Sequence, residues 1–483
     1  MKTINFRFIS RVLGLMSLVQ CVMMLICVGI SLYFGEVIMP FVIGVLAYAG
    51  VGGVLFGLGR DLKDQRVGRR EGMLTVTSTW LLLSLLSTIP MMLSGATPRF
   101  VDAFLECISG FTTTGATVFS RVEHLPHGIL FMRSLMQWQG GIGIVVFTVA
   151  LVPMFGGGAS QIFNAETTGI THERFLPRIA DVAQRLCIVY VVETLVLIVL
   201  LVLGPMGLFD AVCHSLSCVS TGGYSTRDAG IAAYDSVYIE YVLSLFMYIG
   251  ALNLTLIYFA FAGSPLKLLR DEEFRWFNIF IGATVIVTAI WLYSQGFYQD
   301  LEEAIRKSLF QVISLGSSTG FLTADITEWR PFFWMLGLQI MFINGCAGST
   351  SGGLKVARFV LLMKNLYTEF KKQIYPHLFT PVKLNGKQLS ISTVHQVLAF
   401  CVVYLMLIFA GSLLFMLDGN GFISSLSIAC SAASNSGPGI GEYMSTIGPA
   451  GDFSKYLMAF LMLTGRLEVF TVLGILTPHF WKR

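Results

Sequence analysis

Long apolar runs alternate along this chain with short segments of mixed character. The first two runs, at 11–33 and 38–58, are followed by a basic stretch from Arg60 to Arg70. About 20 apolar residues cross the roughly 30 Å of hydrocarbon in a bilayer, so each run predicts a spanning helix. From residue 72 one pattern repeats four times. It consists of a long apolar run, a short half-apolar segment, a stretch of small hydroxyl residues with glycine, and a second long run. The first runs lie at roughly 72–94, 182–203, 276–296 and 391–417, and the second at roughly 127–152, 237–262, 332–365 and 453–477. The short segments, at about 99–111, 207–219, 303–316 and 421–433, are too short to span. They predict half-helices that dip into the bilayer and return.

The hydroxyl and glycine stretches are the unusual feature. They read Thr112-Thr113-Thr114-Gly115, Ser220-Thr221-Gly222-Gly223, Ser317-Ser318-Thr319-Gly320 and Ser434-Asn435-Ser436-Gly437. With the four glycines aligned, a serine falls six residues earlier each time: Ser109, Ser217, Ser314 and Ser431. The copies stand roughly 100 residues apart, so the repeating unit is a whole membrane hairpin and not a solenoid turn. Irregular backbone at membrane depth is tolerated only where it lines a cavity or is packed inside protein. Small-residue helix contacts are the ordinary alternative. A shared register in four similar surroundings argues against that alternative.

Composition agrees with a polytopic membrane protein. The chain has 483 residues, is 55% hydrophobic and 12% charged, and its mean hydropathy is +0.73. Soluble domains carry about 25% charge. Lys2, Arg7 and Arg11 precede the first run and no small-residue cleavage site follows it, which reads as a retained span and not a removed signal. The nine cysteines lie in or beside apolar segments without metal-ligand spacing, and read as small buried hydrophobes.

Each unit crosses twice, so all four share one orientation and can surround one axis along the membrane normal. Of the 32 Lys and Arg residues, 23 fall on one side of this layout, at 2–11, 60–70, 174–185, 267–275, 355–387 and 482–483. That side is expected to be cytoplasmic, with both termini inside and the half-helices entering from outside. The expected fold is therefore all-α: two N-terminal spans (1–71), then four parallel helix–pore helix–filter–helix repeats at 72–155, 156–264, 265–366 and 367–483, in pseudo-four-fold arrangement round one pore.

Such an arrangement suits a dehydrated monovalent cation. Rings of carbonyl oxygens replace its lost water, as the four Thr-Val-Gly-Tyr-Gly loops of potassium channels do. The C-terminal, partially negative ends of four half-helices would favour a cation at the centre. Other classes fit less well. A secondary transporter usually shows inverted repeats or paired broken helices, whereas these repeats are parallel and only one second span carries a clear break in its sequence. No Ser-His-Asp set or zinc-ligand run gathers at a common depth, so the chain does not read as an enzyme. His124, His127 and His214 read as solvated or packed residues, and Gly156-Gly-Gly158 lacks the Gly-Lys-Ser/Thr ending of a nucleotide loop.

Several of these segments resemble the Trk/Ktr/HKT superfamily of potassium transporters, and most closely its bacterial Trk-type uptake subunits. They are Phe111-Thr-Thr-Thr-Gly-Ala-Thr117, Gln139-Gly-Gly-Ile-Gly143, Gly345-Cys-Ala-Gly-Ser-Thr350, Gly352-Gly-Leu-Lys355 and Gly465-Arg-Leu-Glu-Val469. The resemblance covers essentially the whole chain. It implies a gated potassium uptake pore in a bacterial inner membrane, with proton- or sodium-coupled transport of potassium as the alternative. It also implies that Gly115, Gly223, Gly320 and Gly437 are the selectivity glycines. Family members with serine at the first position tend toward sodium, so Gly115 favours potassium over sodium. Two stretches depart from the family pattern: Ser-Ser-Thr-Gly where Thr-Thr-Ala-Gly is usual, and Ser-Asn-Ser-Gly where Asn-Asn-Leu-Gly is usual. A cytosolic ring of regulatory subunits that bind NAD and adenine nucleotides, and a homodimer, are implied by the resemblance alone.

Two further elements are expected near the path. Gly345-Cys346-Ala347-Gly348-Ser349-Thr350-Ser351-Gly352-Gly353 interrupts the second span of the third unit and reads as a movable loop or as a close helix crossing. The family implies an intramembrane gating loop. Arg466 lies deep in the last span, where an arginine is costly and usually functional. It reads as an electrostatic barrier or a partner of the gating loop, or else as half of an ion pair with Glu468 or Glu193. In the family the matching arginine lies beneath the filter.

Overall fold

Two long helices, Phe6–Tyr33 and Met39–Leu58, open the chain as a hairpin. A side chain on Gly14 would collide with the backbone of Gly52 and Phe56, so the glycine lets the two helices meet backbone to backbone. Without a hydrophobic drive between helices in lipid, this close dispersion contact is what holds such a pair. The computed structural model describes residues 4–60, 68–143, 179–377 and 381–482. The loop residues 61–67, the glycine run 156–158 and most of the loop 153–181 lie outside the described residues.

Four units follow, each with the expected order. Their first spans are Arg69–Leu93, Ile179–Leu203, Glu272–Ser294 and Ile391–Leu417. Their half-helices are Phe100–Phe111, Leu208–Val219, Leu301–Gly316 and Phe422–Ser434. The half-helices are amphipathic only at their entrances. From Ser109, Ser217, Ser314 and Ser431 onward every residue is buried up to the loop. The long helices instead carry bare apolar faces, as at Leu46, Val199, Ile286 and Phe409. Such a surface would aggregate in water and suits hydrocarbon, so this is a multi-pass membrane protein.

The second spans depart from simple helices. In the second unit Val237–Gly250 and Leu254–Phe261 meet at 108°, and in the fourth Asp452–Arg466 and Val469–Leu476 meet at 118°. In the third, Arg330–Ile343 and Val356–Ile374 are separated by the glycine-rich loop. In the first, His127–Gly141 ends just before the described residues do. The expectation of one broken second span is thus corrected to at least three. Asn253 caps the second helix of one bend by accepting from Thr255 and Leu256 N–H, and Glu468, at φ 65°, starts the helix after the other. An apolar average over either segment conceals both breaks.

A two-stranded antiparallel hairpin, Lys383–Leu384 with Lys387–Gln388, precedes the first span of the fourth unit. Its turn residue Asn385 exchanges hydrogen bonds with Glu272 and Asp271 at the start of the third unit's first span.

Candidate ion pathway

Each half-helix ends the same way, and the ending explains the serine–glycine register. The residue two before the glycine is left-handed: Thr113, Thr221, Ser318 and Asn435 have φ of 53°, 53°, 59° and 55°. The next N–H, of Thr114, Gly222, Thr319 or Ser436, donates back to the carbonyl of Ser109, Ser217, Ser314 or Ser431 at 2.8–3.0 Å. This is a Schellman ending, with the aligned serine contributing through its backbone. Glycine or asparagine is the usual left-handed residue there. Threonine and serine cost on the order of 1 kcal/mol or more each. Three such residues, Thr113, Thr221 and Ser318, in one register with Asn435 mark a shape the surrounding structure imposes.

The aligned glycines follow with φ of 81°, 80°, 79° and 92°. A side chain on Gly115 would land on the carbonyl oxygen of Gly222, and one on Gly223 would land on that of Thr319. Gly320 stands in the same relation to Ser436, and Gly437 to Thr114. The cycle closes: first unit to second, second to third, third to fourth, fourth to first. Four glycines and four carbonyl oxygens from segments far apart in sequence thus form one ring. Thr112 and Thr114, Ser317 and Thr319, and Ser434 and Ser436 pair their hydroxyls at 2.8, 2.7 and 2.9 Å.

Charged groups brace this ring from behind. Arg133 Nε donates to Glu106 at 2.8 Å, with both side chains almost wholly buried. The Arg133 guanidinium also lies 4.0 Å from the Tyr224 ring and donates to the carbonyl of Ser225. Neighbouring units are joined by Lys455–Asp102 at 2.7 Å and Lys307–Glu240 at 2.6 Å. Asn435 donates to the Thr114 hydroxyl, also at 2.9 Å, tying the fourth loop to the first.

The glycine-rich loop packs at the deep end of the ring, against the half-helix C-termini. Gly352 N–H donates to the Ser318 hydroxyl at 3.0 Å. Thr350 Oγ1 lies 3.2 Å from the Thr221 hydroxyl and 3.1 Å from the Gly250 carbonyl. A side chain on Gly352 would strike the Ser434 carbonyl. Arg466 donates to the carbonyls of Thr350 and Gly140, each at 2.5 Å, and so links this loop to the first unit. Glu468, one of its proposed ion-pair partners, engages Arg358 at 2.5 Å. The loop is anchored at its ends. Glu273 Oε1 accepts from Ala347 N–H at 2.6 Å and Ala357 N–H at 2.9 Å, and Asn253 donates to the Ala347 carbonyl at 2.7 Å. Asn344 and Lys355 flank it with φ of 57° and 76°.

All four predicted stretches therefore meet, the predicted loop lies against them, and Arg466 binds the loop. His127 is half-exposed, and it stacks on Phe34 and reaches Glu36 at 2.8 Å. His214 sits in the core between the Asp210 carbonyl and the Ser225 hydroxyl. Sequence reasoning passed over Glu106, Arg133, Gln137 and Glu273. Charged residues inside apolar segments were a usable signal for Glu106 and Arg133. Nothing in one sequence marks Gln137.

Comparison with known proteins points the same way. Residues 39–478 match the TrkH family, described as a cation transport protein. The chain is 34% identical over 495 residues to the Trk system potassium uptake protein TrkH of Escherichia coli K12, spanning 99% of this chain and 100% of that one. It is 31% identical over 489 residues to the Trk system potassium uptake protein TrkG of the same organism, across 100% of both. The crystal structure of the potassium transporter TrkH from Vibrio parahaemolyticus matches with a TM-score of 0.90 at 33% identity, covering 99% of this chain and 100% of that one.

Proposed function

This chain belongs to the TrkH family of cation transport proteins, and on that premise we propose that it takes up potassium through a pore lined by its four hydroxyl–glycine loops. The closed cycle of glycines and carbonyl oxygens carries this reading. Oxygens gathered in such a ring replace the water a potassium ion sheds, and several weak sites in series let the ion leave again. The half-helix C-termini add partial negative charge from four sides. Discrimination against sodium then depends on a backbone that resists shrinking, which the Schellman endings and buried ion pairs supply.

The same reading makes 345–353 the gate. The loop occupies the deep end of the ring, and Arg466 latches it while placing a positive charge beside the path. Movement of the loop about Asn344 and Lys355 would open the way. The reading divides the chain into an N-terminal part (1–71) and four pore units (72–155, 156–264, 265–366, 367–483). It places the protein in a bacterial inner membrane with both termini in the cytoplasm, on the basic side. A nucleotide-binding cytosolic partner of the Trk type and a homodimeric assembly complete it.

The bends in the second and fourth units favour a second reading, since coupled carriers use broken helices at their binding sites. Ion flux in vesicles of purified protein separates the two. A pore passes potassium and rubidium down their gradients and excludes sodium, whatever the proton gradient. Potassium movement that stops when the proton and sodium gradients are collapsed would establish the carrier.

A further inference from the structure

Three of the four loops clip themselves, and one does not. Thr114, Thr319 and Ser436 each pair a hydroxyl with the residue two before it. The equivalent residue of the second loop is Gly222, which has no side chain, and Ser220 turns its hydroxyl back to the Leu216 carbonyl at 2.8 Å. The vacated space is filled from the neighbouring unit. Gln137, on His127–Gly141, is fully buried, and its side chain takes the place a side chain on Gly222 would need. Its Nε2 donates to the Gly222 carbonyl at 2.7 Å, and its Oε1 accepts from Tyr224 N–H at 3.1 Å. One amide therefore spans Gly223 and satisfies the peptide groups on either side of it, as a neighbouring backbone strand would.

The oxygen it holds belongs to the ring: the Gly222 carbonyl faces Gly115. We infer that Gln137 is a positioning residue for ion discrimination. It sets the tilt of the Gly222–Gly223 peptide and so the place of the second unit's oxygen in the ring. This inference rests on the reading of the four loops as the potassium path. A buried carbonyl and N–H left without partners would recover them by rotating the peptide, and the ring would lose its spacing. Gly222 and Gln137 then form a matched pair across two units, replacing the hydroxyl clip of the other three.

The test compares potassium and sodium flux in vesicles of the full chain, with folded yield and melting temperature measured alongside. Gln137→Met keeps length and apolar bulk but removes both hydrogen bonds. Its potassium-to-sodium ratio is expected to fall about tenfold, the effect of roughly one net hydrogen bond of differential binding. Gly222→Ser is expected to lose discrimination as well, because the side chain collides with Gln137. Gln137→Ala combined with Gly222→Ser rebuilds the clip and is expected to recover most of the ratio lost in Gln137→Ala. Gly320→Ala is the control for the path itself. An unchanged ratio in that variant overturns the ring reading. A changed ratio in Gly320→Ala with Gln137→Met within about twofold of the parent overturns only the role of Gln137. A lower melting temperature in Gln137→Met with an unaltered ratio does the same, since it marks a purely structural residue. Where Gln137→Met fails to fold, the double variant decides: folding without discrimination counts against the inference.

Discussion

Arg466 carries the sharpest prediction at the scale of single residues. Its guanidinium satisfies carbonyls of two different units at the deep end of the ring, Thr350 and Gly140. Removing it takes away both of these contacts and a positive charge, so Arg466→Ala is expected to raise potassium flux several-fold at equal protein level. Unchanged flux in vesicles would contradict a barrier there. Glu273 offers a complementary case. One of its oxygens receives both loop anchors, Ala347 and Ala357 N–H. Glu273→Gln keeps an acceptor in place and is expected to stay near parental flux, whereas Glu273→Ala is expected to leak. Equal behaviour of the two variants would show that the anchor does not hold the loop. The buried Arg133–Glu106 pair belongs to stability. Arg133→Met leaves a carboxylate without its partner and is expected to cost about 3–5 kcal/mol, read as a fall in melting temperature. Adding Glu106→Gln is expected to return part of that loss, and no return would mean the pair is not the main contact.

At the scale of elements, the half-helices were legible because hydropathy and length together exclude a full span. The serine–glycine register was legible too, but its cause was not. The serines contribute carbonyls to a Schellman ending and not hydroxyls to a path. The bends at 108° and 118° were hidden because apolar residues continue straight through them, and only Asn253, Arg466 and Glu468 hinted at a break. Gln137 stayed hidden for another reason: its partner lies 85 residues away, and neither residue is unusual until the two units are side by side. The N-terminal hairpin is separable from this machinery. Gly14→Leu would push the two helices apart where backbone meets backbone. It is expected to lower the melting temperature while leaving the potassium-to-sodium ratio at the parental value. A shifted ratio would mean the hairpin helps shape the ring.

At the scale of the whole molecule, four unequal copies of one hairpin make a closed ring that no single copy contains. Neighbouring copies are held by Lys455–Asp102, Lys307–Glu240 and the Asn435–Thr114 contact, so the ring's diameter is a property of the assembled units. The glycines at its centre could be placed together from sequence only by assuming the four-fold plan, and the structure supplies the closure that assumption needed. The most direct test is an anomalous difference map of the protein crystallised in rubidium. The account predicts a peak on the axis among the carbonyl oxygens of Thr114, Gly222, Thr319 and Ser436. A map with rubidium bound elsewhere and none within that ring would contradict it.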